Sequence, residues 1–88
     1  MLPVKTRILQ YAIKCGQPFT VDDVCQVIQS EYPGEAKLTS RKMIEEYIAS
    51  FVGVNFLSAS NLHFDENGQL SSDYLITDYG KSRQKYMH

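Results

Sequence analysis

Between Arg41 and Val52 the apolar residues Ile44, Tyr47, Ile48, Phe51 and Val52 recur at offsets of three, four, seven and eight, drawing one stripe along a helix of period 3.6. Thr39 and Ser40 stand just before it, where a hydroxyl accepts from the free N–H groups of a first turn, and Gly53 offers a C-terminal stop. The spacing predicts a helix over 41–52. After it, Asn55 to Ala59 and Tyr74 to Ile76 carry the aromatic and branched residues of strands, and Asn67-Gly68 tolerates positive φ at a hairpin tip wider than two residues. This makes a wing over about 55–76.

Two more helical patterns lie upstream. Pro3 suits a first turn, because its missing N–H would be unpaired there anyway, and predicts a helix over 4–15. Its main apolar face is Val4, Ile8, Tyr11, Ala12 and Cys15. Leu2, Leu9 and Ile13 gather on nearly the opposite side and need a cover. Either the terminal helix, expected over 78–87, covers them through Tyr79, Tyr86 and Met87, or a second subunit does. Thr20 with Asp23 three residues on forms a short capping box for a helix over 21–30, which Tyr32-Pro33-Gly34 ends. The link from Glu31 to Leu38 is longer than a tight helix-turn-helix uses.

The order helix, helix, helix, strand, strand, helix resembles the winged helix-turn-helix superfamily. The resemblance rests on Phe19-Thr20-Val21-Asp22-Asp23-Val24 opening the second helix, Leu38-Thr39-Ser40-Arg41 opening the third, and Tyr74-Leu75-Ile76-Thr77-Asp78-Tyr79-Gly80 leaving the wing. It implies an α+β fold, mainly α, with a two- or three-stranded antiparallel wing and a C-terminal helix. It also implies a small DNA-binding transcriptional regulator whose third helix enters the major groove of double-stranded DNA. Carried over residue by residue, Thr39 and Ser40 would contact phosphate, and Arg41, Lys42, Glu45 and Glu46 would face bases. Asn61, His63, Asn67 and Gln69 would be wing contacts.

Length narrows the organisation. At 88 residues, with 43% apolar and 22% charged, residues 1–88 suit one small domain that is marginal alone and gains from a partner subunit. A homodimer through the first and last helices, with Leu2, Leu9, Ile13, Tyr79 and Tyr86 at its interface, is the expectation. No apolar run approaches a membrane span and no signal segment opens the chain, which points to the cytoplasm.

Charge complicates the nucleic-acid reading. The net charge of −1 gives no general attraction to phosphate. Lys5, Arg7 and Lys14 make the first helix basic, and Lys81, Arg83 and Lys85 the tail, whereas Asp65, Glu66 and Asp73 make the wing acidic. On the third helix, Arg41 with Glu45 and Lys42 with Glu46 are four apart. Each is either a solvated intrahelical pair or a pair of base-reading groups, cation to guanine and carboxylate to cytosine. The acidic wing also suits a winged helix that binds a protein partner instead of DNA.

Enzyme chemistry has no foothold in these patterns. His63 and His88 lack a motif partner, the paired carboxylates fall at caps, a polar helix face and a turn, and no glycine-rich loop joins a strand to a helix. Cys15 and Cys25, nine residues apart, match neither a zinc nor a redox spacing, and Cys25 sits on an apolar face as a small hydrophobe. No metal and no cofactor is expected.

Overall fold

The computed structural model describes residues 2–64 and 66–83. Its order is α1 (Val4–Cys15), α2 (Val21–Glu31), α3 (Arg41–Gly53), β1 (Leu57–Phe64), β2 (Leu70–Ile76) and α4 (Asp78–Arg83), the α+β, mainly α arrangement that the apolar pattern predicts. The ends of the helices follow local chemistry. Pro3 precedes the first turn of α1, and Gly16 closes it in the left-handed conformation at φ 63°. On α2, Asp23 N–H donates to the Thr20 hydroxyl at 3.3 Å while the Asp23 carboxylate accepts from Thr20 N–H at 3.0 Å, completing the capping box.

The third helix departs from expectation at both ends. Ser40 alone caps it, accepting from Met43 N–H at 3.2 Å. Thr39 is only 3% exposed. Its hydroxyl donates to the Glu35 carbonyl at 3.0 Å, and its own carbonyl accepts from the Gln29 amide at 2.9 Å. At the far end the helix runs through Gly53. Asn55, at φ 65°, makes the left-handed turn there, so Asn55 and Phe56 are a connector and not strand.

The wing is longer than its branched residues suggest. Leu57 pairs with Ile76 and Phe64 with Leu70, and near the tip between them Gly68 takes φ 76°. Between Ser60 and His63, Asn61 and Leu62 stand opposite Ser72 alone, a β-bulge with Asn61 at φ 50°. A third strand is reduced to one bridge, in which Phe19 and Tyr74 exchange backbone hydrogen bonds of 2.9 and 2.7 Å.

The core lies where the three long helices meet the base of the wing, with Ile8, Ala12, Phe19, Val24, Ile28, Ile44, Ile48, Phe51 and Leu57 buried together. Leu9 joins them at 0% exposure, which corrects its place on an uncovered opposite stripe: α1 is wedged between α2 and α3 and buries more than one face. Ile13 packs against the core edge. Arg7 ties α1 to α2 through two 2.8 Å bonds to Glu31, and the Tyr32 hydroxyl donates to the Leu2 carbonyl at 2.6 Å. Gly80 is buried where α4 crosses the entry to β1, and its N–H donates to the Thr77 hydroxyl at 2.9 Å. Tyr86 and Met87 fall outside the described residues, and with them the cover proposed from the tail.

Candidate nucleic-acid interface

Of the residues expected at a nucleic acid, Arg41, Glu45 and Gln69 line one cleft where the first turn of α3 meets α2 and the wing. His63 and Asn67 line a second beside α2, and Lys42, Glu46 and Asn61 lie outside both. Ser40 sets the direction of α3, and Lys42, Glu45 and Glu46 are exposed along its outer side. Arg41 is half-buried beside them. Its Nε donates to Glu45 Oε1 at 3.0 Å, so the intrahelical pair read from the spacing is formed, and its Nη1 donates to Asp22 across on α2. These hydrogen bonds, first that to Asp22, hold the guanidinium pKa above its ordinary value. Asp22 is the residue that sequence reasoning missed. Asp22 and Asp23 both read as N-terminal acids, and only the packing of α2 on α3 shows which one reaches Arg41.

Thr39 leaves the set. A buried hydroxyl already donating within the loop has no path to a phosphate, so the expected phosphate contact is corrected for this residue. It orders the loop before α3 instead.

On the wing, Asn61 sits in the bulge with its amide donating to Asp73 Oδ2 at 3.2 Å, and His63 Nδ1 lies 2.6 Å from the Asn61 carbonyl. Both side chains are exposed, as are Asn67 and Gln69 in the loop. The bulge inserts one residue into β1 and reverses its alternation. Phe64 therefore emerges on the face shared by Leu57, Ile76 and Leu70, turned toward the helices. Phe64 lines an open cleft with Asp22, Cys25, Gln26 and Gln29 of α2, and Leu70 lines a second with Val21, Arg41 and Glu45. Neither residue is covered: Phe64 is 73% exposed and Leu70 59%.

A second surface joins α1, the end of α3 and α4. Phe51, Val54, Phe56 and Tyr79 line an open groove there, with Lys5 Nζ 5.5 Å from the Phe51 ring centre and Arg83 5.7 Å from that of Tyr79. Of the expected dimer residues, Leu2 and Tyr79 are exposed, Ile13 is half-buried and Leu9 is inside the protomer. Among the described residues no group of three or more histidines, cysteines and carboxylates is arranged to hold a metal ion, and no helix is long and apolar enough to cross a membrane.

Three helices, a bulged antiparallel hairpin and a closing helix match two solved structures over nearly the whole chain. One, from Thermoplasma acidophilum, is assigned as a transcriptional regulator; it shares 19% identity at a TM-score of 0.65, covering 94% of this chain and 74% of its own. The other is a PadR-like transcriptional regulator from Bacillus cereus, with 14% identity and a TM-score of 0.67, covering 94% of this chain and 75% of its own. The fold is a winged helix. No family model and no curated protein sequence matches the chain. Within the winged-helix frame, α3 is the third helix and β1–β2 the wing, and the Asp22–Arg41–Glu45 network stands at their junction.

Proposed function

We propose that this chain is a sequence-specific DNA-binding transcriptional regulator that reads the major groove with α3. The observation that carries the reading is the first turn of α3. There Ser40, Arg41 and Lys42 stand together at a capped helix N-terminus with the wing beside them, and Glu45 and Glu46 follow one turn on. Backbone N–H groups and a hydroxyl at such a terminus suit phosphate, and Arg, Lys and Glu side chains suit base edges. Both structural neighbours are regulators by name, which supports the same reading. Asn61, His63, Asn67 and Gln69 would meet the flanking backbone or minor groove.

Dimerisation belongs to the proposal. The groove between α1, the end of α3 and α4 is the surface assigned to it, with Tyr79 retained from the expected interface. Leu2 lines a separate cleft with Tyr32 and Leu38, and Ile13 lies outside the groove. Two-fold symmetry would set two α3 helices on half-sites about one DNA turn apart and so require a palindromic site.

Retention of fragmented genomic DNA at two salt concentrations, with sequencing of what is kept, tests the proposal. One enriched, salt-sensitive motif that the Arg41→Ala/Lys42→Ala variant fails to retain is the expected result. A second reading, a winged helix that binds a protein partner, is favoured by Leu62, Phe64 and Leu70 exposed on a wing that also carries Glu66 and Asp73. Absence of DNA retention at low salt would replace the first reading with this one.

A further inference from the structure

Among the described residues, the Arg41 guanidinium bonds to carboxylates on two different helices. Nε donates to Glu45 one turn along α3, and Nη1 donates to Asp22 on α2. The neighbouring Asp23 is instead held in the capping box with Thr20. Arg41 and Glu45 line the cleft between α2, α3 and β2, with Gln69 and Leu70 on its wing side, and Asp22 lines the second cleft between α2 and the wing. All three groups keep contact with solvent: the side chains of Arg41, Asp22 and Glu45 are 36%, 61% and 48% exposed. Ion pairs this exposed hold weakly, so a well-placed phosphate or guanine edge can compete for the guanidinium.

We propose that Asp22 is a specificity-determining residue, whose carboxylate clamps Arg41 so that only a duplex docked in register along α3 withdraws it. The inference rests on the DNA reading of α3. A loosely held duplex gains affinity mainly by counterion release, and each phosphate neutralised adds about 0.9 to the salt slope. While the clamp is closed, such a duplex meets two carboxylates against one guanidinium and gains little from Arg41. A duplex seated in the groove presents acceptors that match the guanidinium fork and takes the cation from Asp22. Asp22 thus suppresses nonspecific binding more than specific binding.

The test uses the full chain, the variants Asp22→Asn, Arg41→Ala and the double variant, and two probes: the enriched duplex and a random-sequence duplex of equal length. Asp22→Asn is expected to steepen the salt slope on the random duplex by about 0.9, so that a fourfold rise in salt costs it about 3.5-fold more affinity than the wild type. The ratio between the two duplexes should narrow. In the double variant the slope should return to that of Arg41→Ala, a reversal that a merely structural role for Asp22 would not produce. Without DNA, the Arg41 Nη1–H resonance, which belongs to the group that donates to Asp22, should exchange with water faster in Asp22→Asn than in the wild type.

Equal exchange in the two proteins overturns the clamp whatever the DNA results. Unchanged slope and ratio in Asp22→Asn, while Arg41→Ala still weakens binding, overturn its role in specificity and leave the DNA reading standing. Arg41→Ala binding both duplexes as the wild type does removes the DNA reading of α3 and the inference with it.

Discussion

Leu9 decides between two accounts of α1. Read from periodicity it lies on a stripe offered to a second subunit, yet in the fold it is 0% exposed among the core residues. Leu9→Ala removes the bulk of a fully enclosed side chain, a change that costs about 2–5 kcal/mol through lost transfer energy and the cavity left behind. Rigid helices on both sides of α1 limit collapse into that cavity, so about 3 kcal/mol is the working figure. A domain of this size has roughly 4–13 kcal/mol in total, and each kcal/mol moves its melting temperature by about 4–8 °C. The variant should therefore melt about 12–24 °C below the wild type. Urea unfolding followed by circular dichroism measures the loss, and sedimentation of the folded variant measures self-association. A Leu9→Ala protein that unfolds at the wild-type midpoint but no longer self-associates would falsify the core assignment and restore the residue to an interface.

Gly80→Ala should destabilise by about 1–3 kcal/mol in the same urea assay, because overpacking forces backbone or side chains apart. The added Cβ would press on the Phe56 carbonyl oxygen and stand 2.9 Å from Ile76 Cδ1. The hydrogen bonds from Arg7 hold the Glu31 carboxyl below its ordinary value. A depressed carboxylate contributes stability above its unfolded pKa and loses it as pH falls through the folded one. The wild type should therefore exceed Glu31→Gln in melting temperature near neutral pH, with the gap closing as the pH is lowered past the usual glutamate range. Burial pushes the Cys25 thiol up, so alkylation at mildly alkaline pH should modify Cys25 far more slowly in the folded protein than in denaturant, as read by mass spectrometry. Equal rates would place Cys25 outside the core.

Much of the fold was legible in the chain because it depends on contacts a few residues apart. The α3 stripe, the Thr20–Asp23 capping box, the Ser40 cap and the wide hairpin tip are all set by local periodicity, capping and turn chemistry. The Arg41–Glu45 pair was readable for the same reason, since four residues span one helical turn. What remained hidden depends on residues brought together from distant parts of the sequence. Leu9 looks exposed on an isolated α1 and is buried because α2 and α3 close around it. Thr39 looks like a cap and becomes a buried loop tie through Glu35 and Gln29. Phe64 cannot be assigned a face until the bulge at Asn61 and Leu62 is known, since one extra residue reverses every later side chain. Asp22 and Arg41, nineteen residues apart in the chain, meet only because α2 and α3 pack side by side. The sequence by itself determined the elements and their caps, through short-range periodicity and hydrogen bonding. Only the tertiary structure decided which apolar faces are covered and which acid of α2 reaches the cation of α3, because burial and ion pairing between elements depend on how those elements pack.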